Sequence, residues 1–262
     1  MNIIDLFAGI GGFSIAAHMA GHKTIAFVEN DKYCHKLLQK RLPNAEPHTD
    51  IKTFNGKPYK GKAQIIAGGF PCQPISIVGN RKGQSDGRWL WPEMYRIITE
   101  VKPYFCIIEN VPGLISMDDG RAFEGILTDL ENEGYKTETY IIPAASIGAW
   151  HERDRVWIFA YGSTYSHTNE NRWEELESQG LQLQQIEEIT SENWAMGGYC
   201  RERQGSWQTQ PRMGRVADGI SNRVDRVGAL GNAIVPQVAY QFFKVINALV
   251  TLQNLDPWQD KK

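Results

Sequence analysis

The chain has 262 residues, 42% of them hydrophobic and 22% charged, which is enough apolar material for a globular core. No apolar run approaches the roughly 18 residues of a membrane span, and the four cysteines lack the paired spacing of a zinc site. A net charge of −2 does not indicate a polyanionic partner for the chain as a whole. We therefore expect a protein of the reducing cytoplasm, without a cleaved leader and without a bound metal.

Short apolar runs alternate with segments of helical spacing over about the first 160 residues. Strands are predicted over residues 2–7, 23–30, 63–70, 104–111, 136–144 and 155–162. Helices are predicted over residues 13–21, 31–42, 91–101, 121–134 and 235–252, with Asp31 as an N-cap. This alternation predicts an α/β fold, a Rossmann-like open and mostly parallel sheet with helices on both faces.

The stretch from residue 162 to about 212 breaks the pattern, because it is polar and shows no convincing alternation of buried elements. Seven glutamates lie between Glu170 and Glu192, and six arginines lie between Arg201 and Arg226. This charge division is weak support for a nucleic-acid face, and two differently solvated surfaces explain it as well. We predict a main domain over 1–161, a small lobe over 162–228, and a helical segment over 229–262 that returns to the main domain.

A glycine-rich turn, DLFAGIGG, follows the first predicted strand and opens the first helix. Glycines let the backbone approach a ligand closely, although many α/β folds have such a turn for packing alone. Glu29 ends the second strand, where its carboxylate could accept hydrogen bonds from ribose hydroxyls, and Asp50 could lie beside an adenine amino group. Together these positions favour an adenosine-containing cofactor, and the missing third glycine argues against NAD.

The stretch GGFPCQPIS places Cys72 between Pro71 and Pro74, directly after a predicted buried strand. A lone cysteine is usually structural, but this one is predicted at the carboxyl edge of a parallel sheet, where ligand sites form. The two prolines stiffen the backbone around the thiol. Cys72 is therefore a candidate nucleophile.

The chain carries five motifs, in order, that resemble those of the DNA (cytosine-5)-methyltransferases: DLFAGIGGF, GGFPCQPIS, ENV at 109–111, HERDR at 151–155 and ALGNAIVP at 229–236. The resemblance covers residues 3–161 and about 213–250, and it is typical of a compact prokaryotic or phage member. His151 departs from the pattern, since the family more often has glutamine there. The resemblance implies that the predicted fold is that of the S-adenosylmethionine-dependent methyltransferases. It also implies that the polar lobe over 162–228 is the variable target-recognition region.

The resemblance also implies covalent catalysis on cytosine. Cys72 would add to C6, so that C5 could attack the methyl group of S-adenosylmethionine. Glu109, held near neutrality by burial, would hydrogen-bond N3. Of Arg153 and Arg155, one would contact the cytosine carbonyl or Glu109 and the other would steady the cysteine loop, which Asn110 would help to fix. In isolation, Glu109 would more simply be a helix cap or surface carboxylate, and the arginines would pair with neighbouring acidic residues.

The cofactor pocket is predicted from the glycine turn and from the resemblance together. Its predicted residues are Asp5, Phe7, Gly9, Gly11, Gly12, Phe13, Glu29, Asn30, Asp50, Ile51, Pro71, Leu90, Asn232, Ala233 and Ile234. By resemblance, Phe13 would pack on the adenine or methionine portion, and the segment around Asn232 would close the site. Leu90 and Ile234, each considered singly, are as consistent with simple core packing.

Double-stranded DNA is the predicted substrate, and its target cytosine must flip out of the stack to reach Cys72. The glycine-containing, basic loop over 75–88 suggests a lid that closes on phosphates, although an ordinary surface loop has the same composition. Residues 197–215 carry arginines suited to guanine and glutamines suited to adenine, for a site of about four to six base pairs. The predicted DNA contacts are Gln73, Ser76, Arg81, Lys82, Arg88, Arg201, Arg203, Arg212 and Arg215.

The prediction is thus DNA (cytosine-5-)-methyltransferase activity, by a monomer, with a restriction endonuclease that reads the same site as a candidate partner. A tRNA cytosine-5 methyltransferase on the same scaffold is the nearest alternative, but such enzymes usually depart from PCQ after the cysteine, whereas Gln73 is present here. A catalytically silent DNA-binding protein is the second alternative. It would need neither Cys72 nor Glu109, and both are present.

Overall fold

The computed structural model describes residues 1–71, 89–147, 153–162 and 233–253. Within these ranges, seven strands form one sheet. The strands are β1 (Asn2–Leu6), β2 (Lys23–Val28), β3 (Glu46–His48), β4 (Ile65–Gly68), β5 (Phe105–Asn110), β6 (Tyr135–Pro143) and β7 (Asp154–Gly162). The helices are α1 (Gly12–Met19), α2 (Lys32–Arg41), α3 (Trp91–Val101), α4 (Arg121–Asn132) and α5 (Pro236–Gln253).

The strand order across the sheet is β3-β2-β1-β4-β5-β7-β6. The first five strands are mutually parallel, and β7 lies antiparallel between β5 and β6. From β1 the chain adds β2 and then β3 on one side of β1, and it then crosses over to place β4 on the other side of β1. An open sheet binds ligands outside the carboxyl ends of its strands at such a reversal point. In this fold that point lies between the ends of β1 and β4.

Helices cover both faces of the sheet, and alternate strand residues point to each face. On one face, α1 and α5 pack through Ala16 and Phe243 onto a core that includes Ile3. On the other face, α3 and α4 pack onto a core that includes Ile4 and Met94. The predicted mostly parallel α/β fold is therefore confirmed for the part of the chain that is described.

Local sequence explains how these elements begin. Asp31 caps α2 as predicted, since its side chain accepts a hydrogen bond of 2.8 Å from the backbone N–H of Cys34. Pro92 lies in the first turn of α3, where its missing N–H costs no intrahelical bond. The central strands are rich in isoleucine and buried along their length, as expected of a sheet covered on both faces. None of the helices among the described residues is long and apolar enough to cross a membrane.

Candidate functional site

The glycine turn after β1 uses backbone angles that favour glycine. Gly9 and Gly11 have φ of 55° and 88°, and Phe7 also lies in the left-handed region with φ of 56°. The turn is held by a 2.7 Å bond from the N–H of Gly11 to the carbonyl of Ala8. A Cβ built on Gly9 would meet no atom within 4 Å. The turn therefore borders open space at Gly9, where a ligand can approach the backbone.

Glu29 lies at the end of β2 and ties the glycine turn to the start of α2. Its Oε2 accepts a 2.6 Å hydrogen bond from the N–H of Gly9, and its Oε1 accepts a 2.7 Å bond from the N–H of Asp31. Its own N–H donates to the carbonyl of His48. The side chain is buried, and each carboxylate oxygen keeps a second lone pair for another donor. This arrangement fits the predicted hydrogen bonds from ribose hydroxyls.

Asp5 is fully buried beneath the same turn. Its Oδ2 accepts hydrogen bonds from the N–H and the hydroxyl of Ser14, at 3.1 and 2.6 Å. Its Oδ1 has no partner in the described part of the chain. Burial raises the pKa of Asp5 from 3.8 to about 7, although the Ser14 hydrogen bonds act in the opposite direction. Asp5 is thus a buried carboxyl that holds the first turn of α1 onto β1.

We expect Asp5→Asn to change how stability depends on pH. A carboxyl whose pKa is raised to about 7 in the folded state holds its proton longer than in the unfolded state, so its contribution to stability is full below about pH 4 and is lost as pH rises to about 7. Relative to the wild type, Asp5→Asn should gain up to about 1.4 kcal/mol per pH unit across that window. Urea unfolding of both proteins at several pH values measures this difference. A constant difference would mean that Asp5 ionises normally.

The chain near residue 234 returns to the glycine turn. A Cβ built on Gly12 would lie 2.4 Å from Cγ1 of Ile234, so glycine is needed there for this contact. Ile234 therefore lies against the glycine turn, and closure of a cofactor site by the segment that contains Ala233 and Ile234 stays a prediction. Phe13 packs edge-on against Trp157 with ring centroids 5.9 Å apart and is buried, whereas Phe7 is the partly exposed aromatic side chain of the turn.

The predicted adenine side of the pocket is formed by the loop after β3 and by the start of α3. Asp50 is exposed, and its Oδ1 accepts a 2.9 Å hydrogen bond from the N–H of Lys52. Ile51 is buried, and Leu90 is partly buried against the same hydrophobic core. Asn30 is exposed at the end of β2. These residues lie at the carboxyl edge of the sheet, and their contact with a cofactor stays a prediction.

Glu109 and Arg155 form a buried ion pair at the carboxyl end of β5. The Nε of Arg155 lies 3.0 Å from Oε1 of Glu109. Glu109 is only 8% exposed, and burial raises its pKa although the charges of Arg155 and Arg153 oppose this. The antiparallel pairing of β5 with β7 brings these side chains together, as the resemblance implied for one of the two arginines.

The backbone after β4 passes directly over Glu109. A Cβ built on Gly69 would lie 2.8 Å from Oε2 of Glu109, so a larger residue at position 69 would displace the carboxyl group. The Nδ2 of Asn110 donates a 3.1 Å hydrogen bond to the carbonyl of Phe70. Asn110 therefore ties the end of β5 to the chain that leads into Pro71, and its effect on the Cys72 loop stays a prediction.

Residues 1–228 match the family model described as C-5 cytosine-specific DNA methylase. The chain belongs to the C-5 cytosine-specific DNA methylase family.

Similar curated proteins are type II methyltransferases. M.PspPI from Psychrobacter sp. is 39% identical over 137 residues, which are 52% of this chain and 33% of that protein. M1.ScrFI from Lactococcus lactis is 37% identical over 161 residues, 61% of this chain and 41% of the relative. M.HhaI from Haemophilus parahaemolyticus is 32% identical over 162 residues, 62% of this chain and 49% of the relative. The chain thus spans less than half the length of these relatives.

Solved structures of methyltransferases share the fold. An E. coli protein described as a DNA modification methyltransferase encoded within a prophage matches with a TM-score of 0.55 and 26% identity, over 66% of this chain and 50% of that one. The Dnmt2 methyltransferase of S. pombe matches with a TM-score of 0.51 over 62% of this chain and 51% of that one. At 21% identity, the second likeness shows the fold alone.

Part of the predicted site lies outside the described residues. The predicted residues in this group are Cys72, Gln73, Ser76, Arg81, Lys82, Arg88, Arg201, Arg203, Arg212, Arg215 and Asn232. The structure does bring together Glu109 and Arg155, and it joins Glu29 to Gly9. Our sequence prediction of the family site did not include Gly69, and the signal that could have indicated it is the glycine pair at residues 68 and 69, where β4 ends.

Proposed function

We propose that this chain transfers a methyl group from S-adenosylmethionine to C5 of a flipped-out cytosine in a short double-stranded DNA sequence. The observation that carries the proposal is the buried Glu109 carboxyl, paired with Arg155 and overlaid by Gly69, one strand away from the loop that continues into Pro71 and Cys72. Family membership supports the reaction class. A buried carboxyl with a raised pKa is suited to acid-assisted addition of a nucleophile to a base.

The described residues fit the cofactor that this reaction needs. Gly9 borders open space, the Glu29 carboxylate keeps acceptor capacity, and Ile234 closes onto the turn. We propose that Glu29 accepts the ribose hydroxyls and that Asp50 and Ile51 hold the adenine. Phe7, Pro71, Leu90 and the other residues predicted above would line the remainder. When bound, S-adenosylmethionine supplies an electrophilic methyl group.

In the proposed mechanism, the thiolate of Cys72 adds to C6 of cytosine and a C–S bond forms. The electrons of the C5–C6 double bond shift toward N3, where protonated Glu109 donates a hydrogen bond or its proton. C5 then has the electron density to take a methyl group. Loss of the C5 proton to solvent re-forms the C5–C6 double bond and expels the thiolate, and any proton that N3 took from Glu109 returns to that carboxylate. Arg155 keeps the Glu109 carboxyl in place, and its charge limits how far burial raises the pKa.

The glycines at 68 and 69 allow a matched test of the Glu109 position. A Cβ at residue 68 would lie 2.7 Å from the backbone carbonyl oxygen of Leu6, which cannot move easily, so Gly68→Ala should cost about 1–3 kcal/mol of stability. A Cβ at residue 69 would meet the side-chain oxygen of Glu109 instead. Gly69→Ala should therefore displace the carboxyl and lower the methyl-transfer rate with little change in the free energy of unfolding.

Both variants are measured by urea unfolding and by transfer of a labelled methyl group to DNA. A wild-type rate in Gly69→Ala would contradict the proposal, and so would a rate that falls only in proportion to a loss of stability as large as that of Gly68→Ala.

DNA is proposed as the substrate because the family is described as a cytosine-specific DNA methylase and the similar proteins are type II methyltransferases. Residues 162–228 are proposed as the target-recognition lobe, residues 1–161 as the catalytic domain and residues 229–262 as the returning segment. A restriction endonuclease that reads the same site, and a monomeric state, belong to the same proposal.

The deciding experiment is bisulfite sequencing of unmethylated, mixed-sequence DNA after incubation with the protein and S-adenosylmethionine, with Cys72→Ser as the control. Protected cytosines in one short recurring context would establish the reaction, the substrate and the target together. A parallel incubation with transfer RNA tests the alternative substrate. Protection of RNA alone would overturn the DNA assignment.

A further inference from the structure

We infer that Arg96 on α3 is a positioning residue that holds the adenine loop, residues 50–56, in the shape that the cofactor requires. The inference rests on the proposed function, because it assigns a role to that loop. It adds a residue that neither the glycine turn nor the five motifs contain. Arg96 is not among the predicted cofactor contacts.

The guanidinium of Arg96 binds the adenine loop at two backbone carbonyls. Its Nη2 donates a 2.8 Å hydrogen bond to the carbonyl of Ile51, and its Nη1 donates a 3.0 Å bond to the carbonyl of Phe54. Ile51 and Phe54 flank a turn that Asp50 closes by accepting the N–H of Phe54 at 3.0 Å. The planar fork of an arginine can span both carbonyls, whereas a lysine ammonium is a point donor.

Two carboxylates on the same helix fix the guanidinium in this position. Its Nε lies 2.9 Å from Glu93, and its Nη1 lies 3.0 Å from Glu100. Glu100 also accepts a 2.7 Å hydrogen bond from the N–H of Gly56, where an added Cβ would lie 3.0 Å from that same carboxylate. The helix is therefore hydrogen-bonded to three backbone groups of the loop, two through Arg96 and one through Glu100.

These hydrogen bonds fix the loop that carries residues proposed to contact the cofactor. Asp50 and Ile51 belong to the loop itself, and Leu90 lies at the start of α3. The same helix therefore positions both parts of the proposed adenine site, the loop and Leu90. The Asp50 side chain is exposed and bonded only locally, to the N–H of Lys52, among the described contacts. Its position therefore depends on the backbone that Arg96 holds.

The experiment compares Arg96→Gln with Lys102→Gln. Lys102 caps the other end of α3 and pairs with Glu133 at 2.8 Å, so its variant removes a cation and an ion pair from the same helix without a described contact to the loop. Binding of S-adenosylmethionine is measured by calorimetry, and amide hydrogen exchange is measured across residues 50–56. Arg96→Lys is the conservative variant.

Arg96→Gln should bind S-adenosylmethionine about tenfold more weakly, as expected for the loss of hydrogen bonds to a charged group. Its methyl-transfer rate at saturating cofactor should stay at the wild-type value, and its amides at residues 50–56 should exchange faster. Arg96→Lys should recover only part of the affinity, and Lys102→Gln should retain all of it. A lower affinity for the cofactor with an unchanged rate at saturation indicates a positioning role, because a general loss of stability would not raise KM alone.

If the unaltered protein binds S-adenosylmethionine and Arg96→Gln binds it equally well, the inference is overturned and the proposed function still stands. Equal loss of affinity in Lys102→Gln would also overturn it, because the effect would then belong to the helix as a whole. Failure of the unaltered protein to bind S-adenosylmethionine would overturn the proposed function and the inference together.

Discussion

Replacing Glu109 by glutamine is expected to lower the methyl-transfer rate by about 10² to 10⁴, the range that general acid catalysis usually supplies. An amide can still donate a hydrogen bond to N3, but it cannot deliver a proton there. The Arg155 guanidinium would also lose its charged partner, since the two groups are 3.0 Å apart. Binding of S-adenosylmethionine should be unchanged, because the described cofactor residues do not use the Glu109 carboxylate.

The pH profile gives a second readout of the same variant. Burial raises the pKa of Glu109, and in the proposed mechanism its protonated form is the active one, so the wild-type rate should fall as pH rises through that raised pKa. The proposed mechanism also needs the Cys72 thiolate, so the rate should fall on the acid side as that thiolate is protonated. Glu109→Gln should therefore lose the alkaline limb and keep the acid one.

A matched control for Glu109→Gln is Glu133→Gln, which makes the same chemical change at a carboxylate that pairs with Lys102. That variant should keep both the rate and the shape of the pH profile. Single-turnover methyl transfer across pH 5 to 9, measured for all three proteins, decides the matter. An alkaline limb that persists in Glu109→Gln would assign it to another group and remove Glu109 from the acid role.

The element pattern of this chain could be predicted because its local signals agree with its packing. The predicted helix over 91–101 has the bounds that the structure shows, because its apolar spacing marks the buried face. The Asp31 cap and the buried isoleucine strands followed from equally local chemistry. In each case the local structure depends on residues close in the sequence, so it can be predicted without knowledge of distant contacts.

The contacts that define the site could not be predicted in the same way. Glu109 meets Gly69 and Arg155 only because β5 lies between β4 and an antiparallel β7, which no local pattern specifies. Arg96, placed between Glu93 and Glu100 on one helix, has the sequence pattern of ordinary surface ion pairs. Its bonds to the adenine loop join residues more than 40 positions apart.

Cys72→Ser is expected to abolish methyl transfer while leaving S-adenosylmethionine binding nearly intact. A serine hydroxyl has almost the same size as a thiol, but it is far less acidic and does not form the anion that adds to C6. Without that addition, C5 of an aromatic, electron-poor ring does not attack a methyl group. The loss should therefore appear in the chemical step, with affinity for the cofactor unaffected by calorimetry.

The covalent adduct itself can be trapped with DNA that carries 5-fluorocytosine. Fluorine cannot leave C5 as a cation, so the double bond cannot re-form after methyl transfer and the C–S bond to Cys72 should persist. The wild-type protein should then migrate with the DNA under denaturing conditions, and Cys72→Ser should not. Glu109→Gln should form the adduct slowly, because it retains the nucleophile and lacks the acid. Substantial turnover by Cys72→Ser would overturn the covalent mechanism, whereas adduct formation at the wild-type rate in Glu109→Gln would show that addition at C6 needs no proton from Glu109.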